Sequence, residues 1–484
     1  MTATTTSPAT TEADDPTSAP RHTVLLLALL GTLLLGILEM NIVTSAATSI
    51  GRELDPVHGI ARIPWLVTAY ALASCIVQPI YGKLADRYGV KPVFLWTVGV
   101  FMGGSLLCAV AGSMEQLILF RAIQGLGGGG LMSVTFIVFG HLSAESGEQR
   151  RTSALAGMLV GLGLVAGPVL GGQLVDHAGW RWVFLINLPL AGAAWLIVAR
   201  RLQVAATHRP TPIDVLGTAL LSAAAGAVLL ACEWGGQRYA WTSPMIVGLG
   251  LFAALSAMAF AWRQTTAPEP YFPPRLLRHR IFRVITVLQL VAGIGLASTI
   301  VYVTLDLQLV HGISPSSTGL HLLPMAAGLV LASIIGSRLV GGGGPVRLAI
   351  AGGQLLGGLA LAALALTTSV GGSTIVLSLG LALFGFGLGL GLGNELVLVQ
   401  TSVGRHEMGV ATTGLRFVET IGAGIGASAF GVLFTSLTHH AISPASVASA
   451  LHWVFGIGAV LLVLASALAL RLPDVRFTEA PAAP

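Results

Sequence analysis

The feature that most constrains this chain is a succession of apolar runs, each about as long as the roughly 20 residues needed to cross a hydrocarbon core of about 30 Å. Short stretches between them hold nearly all of the charge. Of 484 residues, 54% are hydrophobic and 9% carry charge, as 25 Lys+Arg and 20 Asp+Glu, against about 25% charged in soluble domains. A surface exposed to water needs charged groups in proportion to its area, and a chain this long has too few to cover itself. Its solvent is therefore mostly lipid, and a soluble enzyme is excluded.

Apolar runs bounded by charge, Pro and Gly predict helices over 23–48, 63–82, 93–112, 117–140, 154–176 and 183–200, then over 215–233 and 246–262. Six more follow, over 284–311, 319–338, 347–367, 374–400, 409–436 and 449–470. The expected fold is an all-α polytopic membrane protein with fourteen transmembrane helices in the order six, two, six. The domains this implies are a disordered cytoplasmic tail (1–22), an N-terminal six-helix bundle (23–201), a two-helix insert with its linkers (202–283), a C-terminal six-helix bundle (284–471) and a second cytoplasmic tail (472–484). Thr, Ala, Ser and Pro dominate residues 1–20, as in a disordered segment. No basic region precedes the first apolar run, so that run is expected to be a retained helix and not a signal peptide.

An even number of spans puts both termini on one side, and basic residues mark the cytoplasm. Lys83, Arg87, Lys91, Arg150, Arg151, Arg200, Arg201 and most other cations fall on the side of the N-terminus. Arg52, Arg62, Arg181 and Arg238 fall opposite, and Arg121 and Arg416 lie inside apolar runs. Both termini are therefore expected in the cytoplasm, the chain being a monomer in the plasma membrane. The net charge of +5 is scattered between apolar segments and points to no nucleic-acid partner. Cys75, Cys108 and Cys232 imply neither a disulfide framework nor a metal site. His311, His321, His439 and His440 match no metal motif and read as interfacial residues.

The segment Gly82–Lys91, G-K-L-A-D-R-Y-G-V-K, joins the second and third runs. Gly82 and Gly89 permit close approach and a tight turn, and Asp86 is placed to meet a neighbouring helix N-terminus or a cation. With Arg87 and Lys91 it would latch one packing of the bundle. The segment resembles the signature loop of the major facilitator superfamily. Leu117–Gly125, L-I-L-F-R-A-I-Q-G, places Arg121 within hydrocarbon, where a guanidinium costs several kcal/mol unless paired or hydrated. This segment resembles the fourth-helix motif of the same superfamily, whose arginine is linked to proton coupling. The glycines after Leu126 make no phosphate cradle, because the Lys-Ser/Thr of a P-loop is missing. In Gly163–Gly172, G-L-V-A-G-P-V-L-G-G, the spacing of Gly163, Gly167 and Gly171 clears one helix face, and Pro168 removes a backbone hydrogen bond. With Gly172, the pattern resembles the superfamily's antiporter signature, and Trp180–Pro189, W-R-W-V-F-L-I-N-L-P, is similar to the fourteen-helix drug:proton antiporter branch.

That branch has an aspartate where Leu38–Val43, L-E-M-N-I-V, carries Glu39, and a threonine in place of Asn41. Counted at 1.5 Å per residue from the outer ends of their helices, Glu39 and Arg121 share a depth, so a proton-binding carboxylate that meets Arg121 is expected, the alternative being a static ion pair. Arg416 and Glu419, three residues apart, share a helix face. Asp306 is an unmatched acid in apolar surroundings and a second candidate protonation site, while Glu395 is either functional or hydrated near a helix end. Four acids against two arginines leave a surplus suited to proton coupling.

The resemblance implies alternating access between two helical halves, powered by a proton gradient with no cofactor, and export of amphipathic drugs or antibiotics. Export of one endogenous lipid or metabolite is the alternative, and a non-transporting receptor a more distant one. Met40, Asn41, Gln124, Met132, Phe136, Met158 and Met325 are candidates for the lining of the substrate cavity.

Overall fold

The computed structural model describes residues 18–56, 59–146, 163, 166–167, 170–202, 214–236, 238–267, 276, 278–313, 315–368, 372–404, 407–437 and 444–475. Among these the chain is helical, as it must be where no water can satisfy a backbone N–H or C=O. The first group of helices is α1 (Ser18–Leu54), α2 (Gly59–Tyr88), α3 (Val90–Ala109), α4 (Met114–Ser146), α5 (170–178), the short α6 (Arg181–Leu185) and α7 (Asn187–Arg201). A hairpin follows, α8 (Val215–Trp234) and α9 (Pro244–Thr266). The second group is α10 (Arg280–Leu305), a π turn (Asp306–Val310), α11 (Pro315–His321), α12 (Leu323–Gly341), α13 (Val346–Thr367), α14 (Thr374–Ser402), α15 (Met408–Leu437) and α16 (Pro444–Ala469). Twelve helices among the described residues are long and apolar enough to cross a membrane, and α1 contributes a shorter apolar stretch, Val24–Glu39.

Local chemistry sets several of the boundaries. Gly89, with φ +88°, takes the left-handed turn that separates α2 from α3. Ser243 caps α9 by accepting from Ile246 N at 3.4 Å, with Pro244 in the first turn. Asp214 does the same for α8, accepting from Gly217 N at 3.0 Å, and pairs with Arg263 at 2.9 Å to close the base of the hairpin.

In the first group α2, α3 and α4 pack tightly together, and α1 lies against α2, α4 and α7. The glycines after Leu126 make this possible: a Cβ at Gly127 would strike the Phe101 backbone, and one at Gly129 would strike the Ser74 carbonyl. In the second group α14 packs between α12 and α13, α13 against α16, and α10 against α15. The hairpin meets the rest through α8, which touches α2 and α15. Ser222 donates to Ile76 O at 2.8 Å and Ser428 donates to Cys232 O at 3.0 Å, while Cys75, Ala225 and Phe417 form a small apolar cluster where the three helices meet. By contrast, α9 turns Leu251, Leu255, Met258 and Trp262 outward, as expected of a face wetted by lipid.

Candidate functional site

Glu39 on α1 and Arg121 on α4 meet as a salt bridge at the centre of the first group of helices, with side-chain exposures of 0% and 1%. The carboxylate accepts from two donors, Arg121 Nη1 on Oε1 and Asn187 Nδ2 on Oε2, the latter at 2.6 Å. The guanidinium donates from Nε to Leu66 O at 2.9 Å and from Nη1 to Gln124 Oε1 at 2.7 Å. Its Cζ lies 4.3 Å from the Tyr70 ring centroid and 5.9 Å from that of Phe184. Gln124 Nε2 donates to Ser105 Oγ at 2.8 Å, and Asn187 Nδ2 also reaches that oxygen at 3.3 Å. Asn187, Ser105, Gln124, Tyr70 and Phe184 are all buried.

An isolated charge could not stay in this interior. Here each charge has the other, and several dipoles besides, which is the condition under which a buried pair persists. Five helices supply the polar groups, so the cluster is intact only in one packing of α1, α2, α3, α4 and α7. The sequence alone paired Glu39 with Arg121. The structure buries the Gln124 side chain in this cluster, between Arg121 and Ser105, whereas the sequence assigned it to the lining of the substrate cavity. It missed the role of Asn187, although that residue lies inside the quoted Trp180–Pro189 motif, and those of Ser105 and the Leu66 carbonyl, which carry no sequence signal.

A second polar region lies where the two groups of helices face each other. Arg416 Nη1 donates to Glu419 Oε2 at 2.6 Å along α15, and its Cζ stands 4.3 Å from the Phe136 ring centroid on α4. Gln400 on α14 donates to Phe136 O at 3.3 Å, and Thr420 donates to Gln78 Oε1 on α2 at 3.5 Å. Behind this pair Glu395 is 0% exposed. Its Oε1 accepts from Gln354 Nε2 at 3.1 Å, and its Oε2 has no hydrogen-bond partner among the described residues.

At one end of this seam Asp86 Oδ2 accepts from Val410 N at 3.3 Å, in the first turn of α15. A carboxylate is favoured there by the helix dipole. Close approach demands glycine on both sides: a Cβ at Gly82 would strike Thr413, and one at Gly409 would strike the Asp86 carboxyl. Gly409 and Thr413 are partners the sequence did not reveal. Arg87 stacks on the adjacent Tyr88 ring at 5.2 Å, and Lys91 sits half-buried near the start of α3. Within the first group, Glu53 accepts from Arg181 Nη1 at 2.5 Å and Trp180 Nε1 at 2.8 Å, and these bonds hold its carboxyl below the usual glutamate range.

The remaining candidates are dispersed. Met132 is half-buried beside Gly36, and Met325 is fully buried in an apolar cluster with Tyr302, Leu381 and Phe384. A Cβ at Gly163 would strike Ile37 of α1, Gly167 and Gly171 are buried, and Gly172 faces open space. Asp306 is buried at the π turn, 3.6 Å from His311 Nδ1. Pro168, Met158, His439, His440 and the side chains of Met40 and Asn41 lie outside the described residues. No cluster of metal-ligating side chains occurs among the described residues.

Residues 28–427 match the family model of the Major Facilitator Superfamily. The chain belongs to this superfamily. It is 34% identical over 419 residues to the multidrug transporter protein MdtP of Bacillus subtilis, covering 86% of this chain and 76% of that one. It is 33% identical over 437 residues to an uncharacterised MFS-type transporter of Mycobacterium tuberculosis, covering 90% of this chain but only 63% of the relative's length. The human organic anion transporter MFSD10 shares the fold, with a TM-score of 0.66 at 17% identity over 93% of this chain and 99% of that one. This chain is thus a multi-pass membrane protein of the major facilitator fold.

Proposed function

We propose that this chain is a proton-coupled exporter of amphipathic small molecules, working by alternating access in the plasma membrane with both termini in the cytoplasm. The observation that carries the reading is the Glu39–Arg121 pair, sealed from solvent by Asn187, Gln124, Ser105 and Tyr70. A carboxylate that gives up its guanidinium partner when helices move can take a proton from one side and release it on the other. Two Bacillus subtilis relatives, the multidrug transporter protein MdtP and multidrug resistance protein 3, support drug-like cargo. An endogenous lipid or metabolite is the alternative cargo.

In this reading the chain is of the fourteen-helix antiporter branch, arranged six, two, six: α1 and the helix expected over 154–176 would add two spans to the twelve identified by length and apolarity. The lopsided distribution of Lys and Arg puts the Asp86–Val410 contact on the cytoplasmic side, so the described packing is closed to the cytoplasm. Asp86, Gly82 and Gly409 act as the inner latch. Arg416, Glu419 and Glu395 form a second charged layer on the C-terminal side of the seam, where Phe136 and Met132 help line the substrate path.

The test is proton movement in proteoliposomes on addition of tetraphenylphosphonium, an amphipathic cation, comparing the native chain with Glu39→Gln, Arg121→Ala and Asp306→Asn. Proton flux in the native chain that Glu39→Gln abolishes is the expected result. Substrate flux that continues without proton movement would sink the antiport reading. Loss of coupling in Asp306→Asn alone would move the principal site out of the N-terminal half.

A further inference from the structure

The buried acids differ in how well they are satisfied. Glu39 accepts from two donors and Glu395 from one. Asp306, 1% exposed, has no hydrogen bond to either carboxylate oxygen among the described residues, and the one ionisable group placed against it is His311, whose Nδ1 stands 3.6 Å from Oδ2. The two residues bracket the π turn. His311 N donates to Asp306 O at 3.1 Å, and Ile313 N donates to Leu307 O at 2.8 Å. Single π turns inside helices are frequent at functional sites because they spend a residue of regular bonding to re-aim side chains.

We propose that Asp306 and His311 form a second proton-binding site, reached from the outer face through His311 and separate from the Glu39–Arg121 pair. The inference rests on the proton-coupled reading above. Both ring nitrogens of His311 face carbonyl oxygens, Nε2 at 3.2 Å from Gly372 O and Nδ1 at 3.4 Å from Asp306 O, an arrangement in which the protonated ring donates from both. Nδ1, which also stands 3.6 Å from Asp306 Oδ2, is the nitrogen through which a proton can pass between ring and carboxyl. With one proton between them, the pair is either imidazolium beside carboxylate or imidazole beside carboxylic acid. Transfer breaks the Nδ1–H bond and forms Oδ2–H, and a second proton leaves both groups protonated. His311 keeps 11% of its side chain exposed while Asp306 keeps 1%, so water reaches the acid by way of the ring.

The surroundings leave His311 as the partner that matters. On the elements packed against the turn, the other titratable groups among the described residues are Tyr302 on α10, His321 on α11 and His452 on α16. Tyr302 donates to Ala427 O at 3.2 Å, and His452 Nδ1 lies 2.7 Å from Ala365 O. Arg280 and Arg283 stand at the far end of α10, a whole span away. Asp306 and Glu39 belong to different groups of helices, so the second site can load while the first stays sealed.

The experiment is infrared difference spectroscopy of the purified full chain between about pH 5 and about pH 8, read at the protonated-carboxyl band. A component that titrates in the native chain should vanish in Asp306→Asn and persist in Glu39→Gln. In His311→Gln it should remain, with its midpoint moved by about one pH unit or more. In whole cells, His311→Cys in a chain whose Cys75, Cys108 and Cys232 are replaced by Ser should react with a membrane-impermeant maleimide. An unchanged spectrum in Asp306→Asn, an unmoved midpoint in His311→Gln, or labelling only after permeabilisation would each overturn the proposal. If Asp306→Asn does not fold, His311→Gln decides. Because the spectrum is read without transport, an Asp306 band that titrates in a chain showing no proton flux upholds the site and sinks the antiport reading instead.

Discussion

Glu39→Gln tests the sealed ion pair most directly, because the change is nearly isosteric and opens no cavity. It leaves Arg121, 1% exposed, without its counter-charge while keeping the Leu66 carbonyl, Gln124 and the Tyr70 ring as partners. The new amide also sets an NH2 against one of two donors, Arg121 Nη1 or Asn187 Nδ2, which both now meet carboxylate oxygens. Breaking one side of a buried pair costs about 3–5 kcal/mol, and at about 1.4 kcal/mol per decade that is on the order of a thousandfold in the folding equilibrium. Reversible unfolding in mixed SDS micelles reads it. Removing both charges, in Glu39→Gln with Arg121→Gln, eliminates the stranded guanidinium, so the double variant should be more stable than Glu39→Gln alone. The cycle should give a coupling energy of about 2 kcal/mol or more. Additivity within about 0.5 kcal/mol, or a single-variant cost below about 1 kcal/mol, would refute the claim that the two charges hold each other in hydrocarbon.

Asn187→Leu removes the donor to Glu39 Oε2, and the same unfolding assay should show a loss of about 1–3 kcal/mol; a change within noise would mean the carboxylate does not need that bond. Gly409→Leu should push α2 from α15, because its Cβ falls 2.9 Å from Gly82 O and against the Asp86 carboxyl. Spin labels at Tyr88 and Glu407 should then report longer distances by pulsed dipolar spectroscopy, and an unchanged distribution would contradict a glycine-dependent latch. The bonds from Arg181 and Trp180 lower the carboxyl of Glu53, so the stability they contribute is present above the ordinary glutamate value of about 4.3 and is lost as pH falls through the lower folded value. Arg181→Ala should weaken that acid limb of a stability-versus-pH curve, by a small amount because both side chains are largely exposed; identical curves would show that the contact carries no linkage.

Some of the site was legible along the chain and some was not. Arg121 announced itself because an arginine in an apolar run has to be paired, and Glu39 stood at the matching depth. Asn187, Ser105 and Gly409 did not, since an amide, a hydroxyl and a glycine are common in membrane helices and nothing in their neighbours marks them as partners. His311 looked interfacial because it follows the last apolar turn of its helix. The π turn folds it back to within 3.6 Å of Asp306, and such a turn depends on how α10 packs against α16, which no local pattern encodes.

By itself the sequence determined the solvent, the all-helical class and the superfamily, because these follow from the density of charge, the length of apolar runs and short motifs read along the chain. Only the tertiary structure decided which of the buried acids are satisfied. Glu39 acquires an arginine and an asparagine, Glu395 a single glutamine, and Asp306 an imidazole just beyond hydrogen-bond reach. These partners come from residues up to 148 positions away, and in a medium without water the free energy of a charge depends on the groups that touch it and not on its neighbours in sequence.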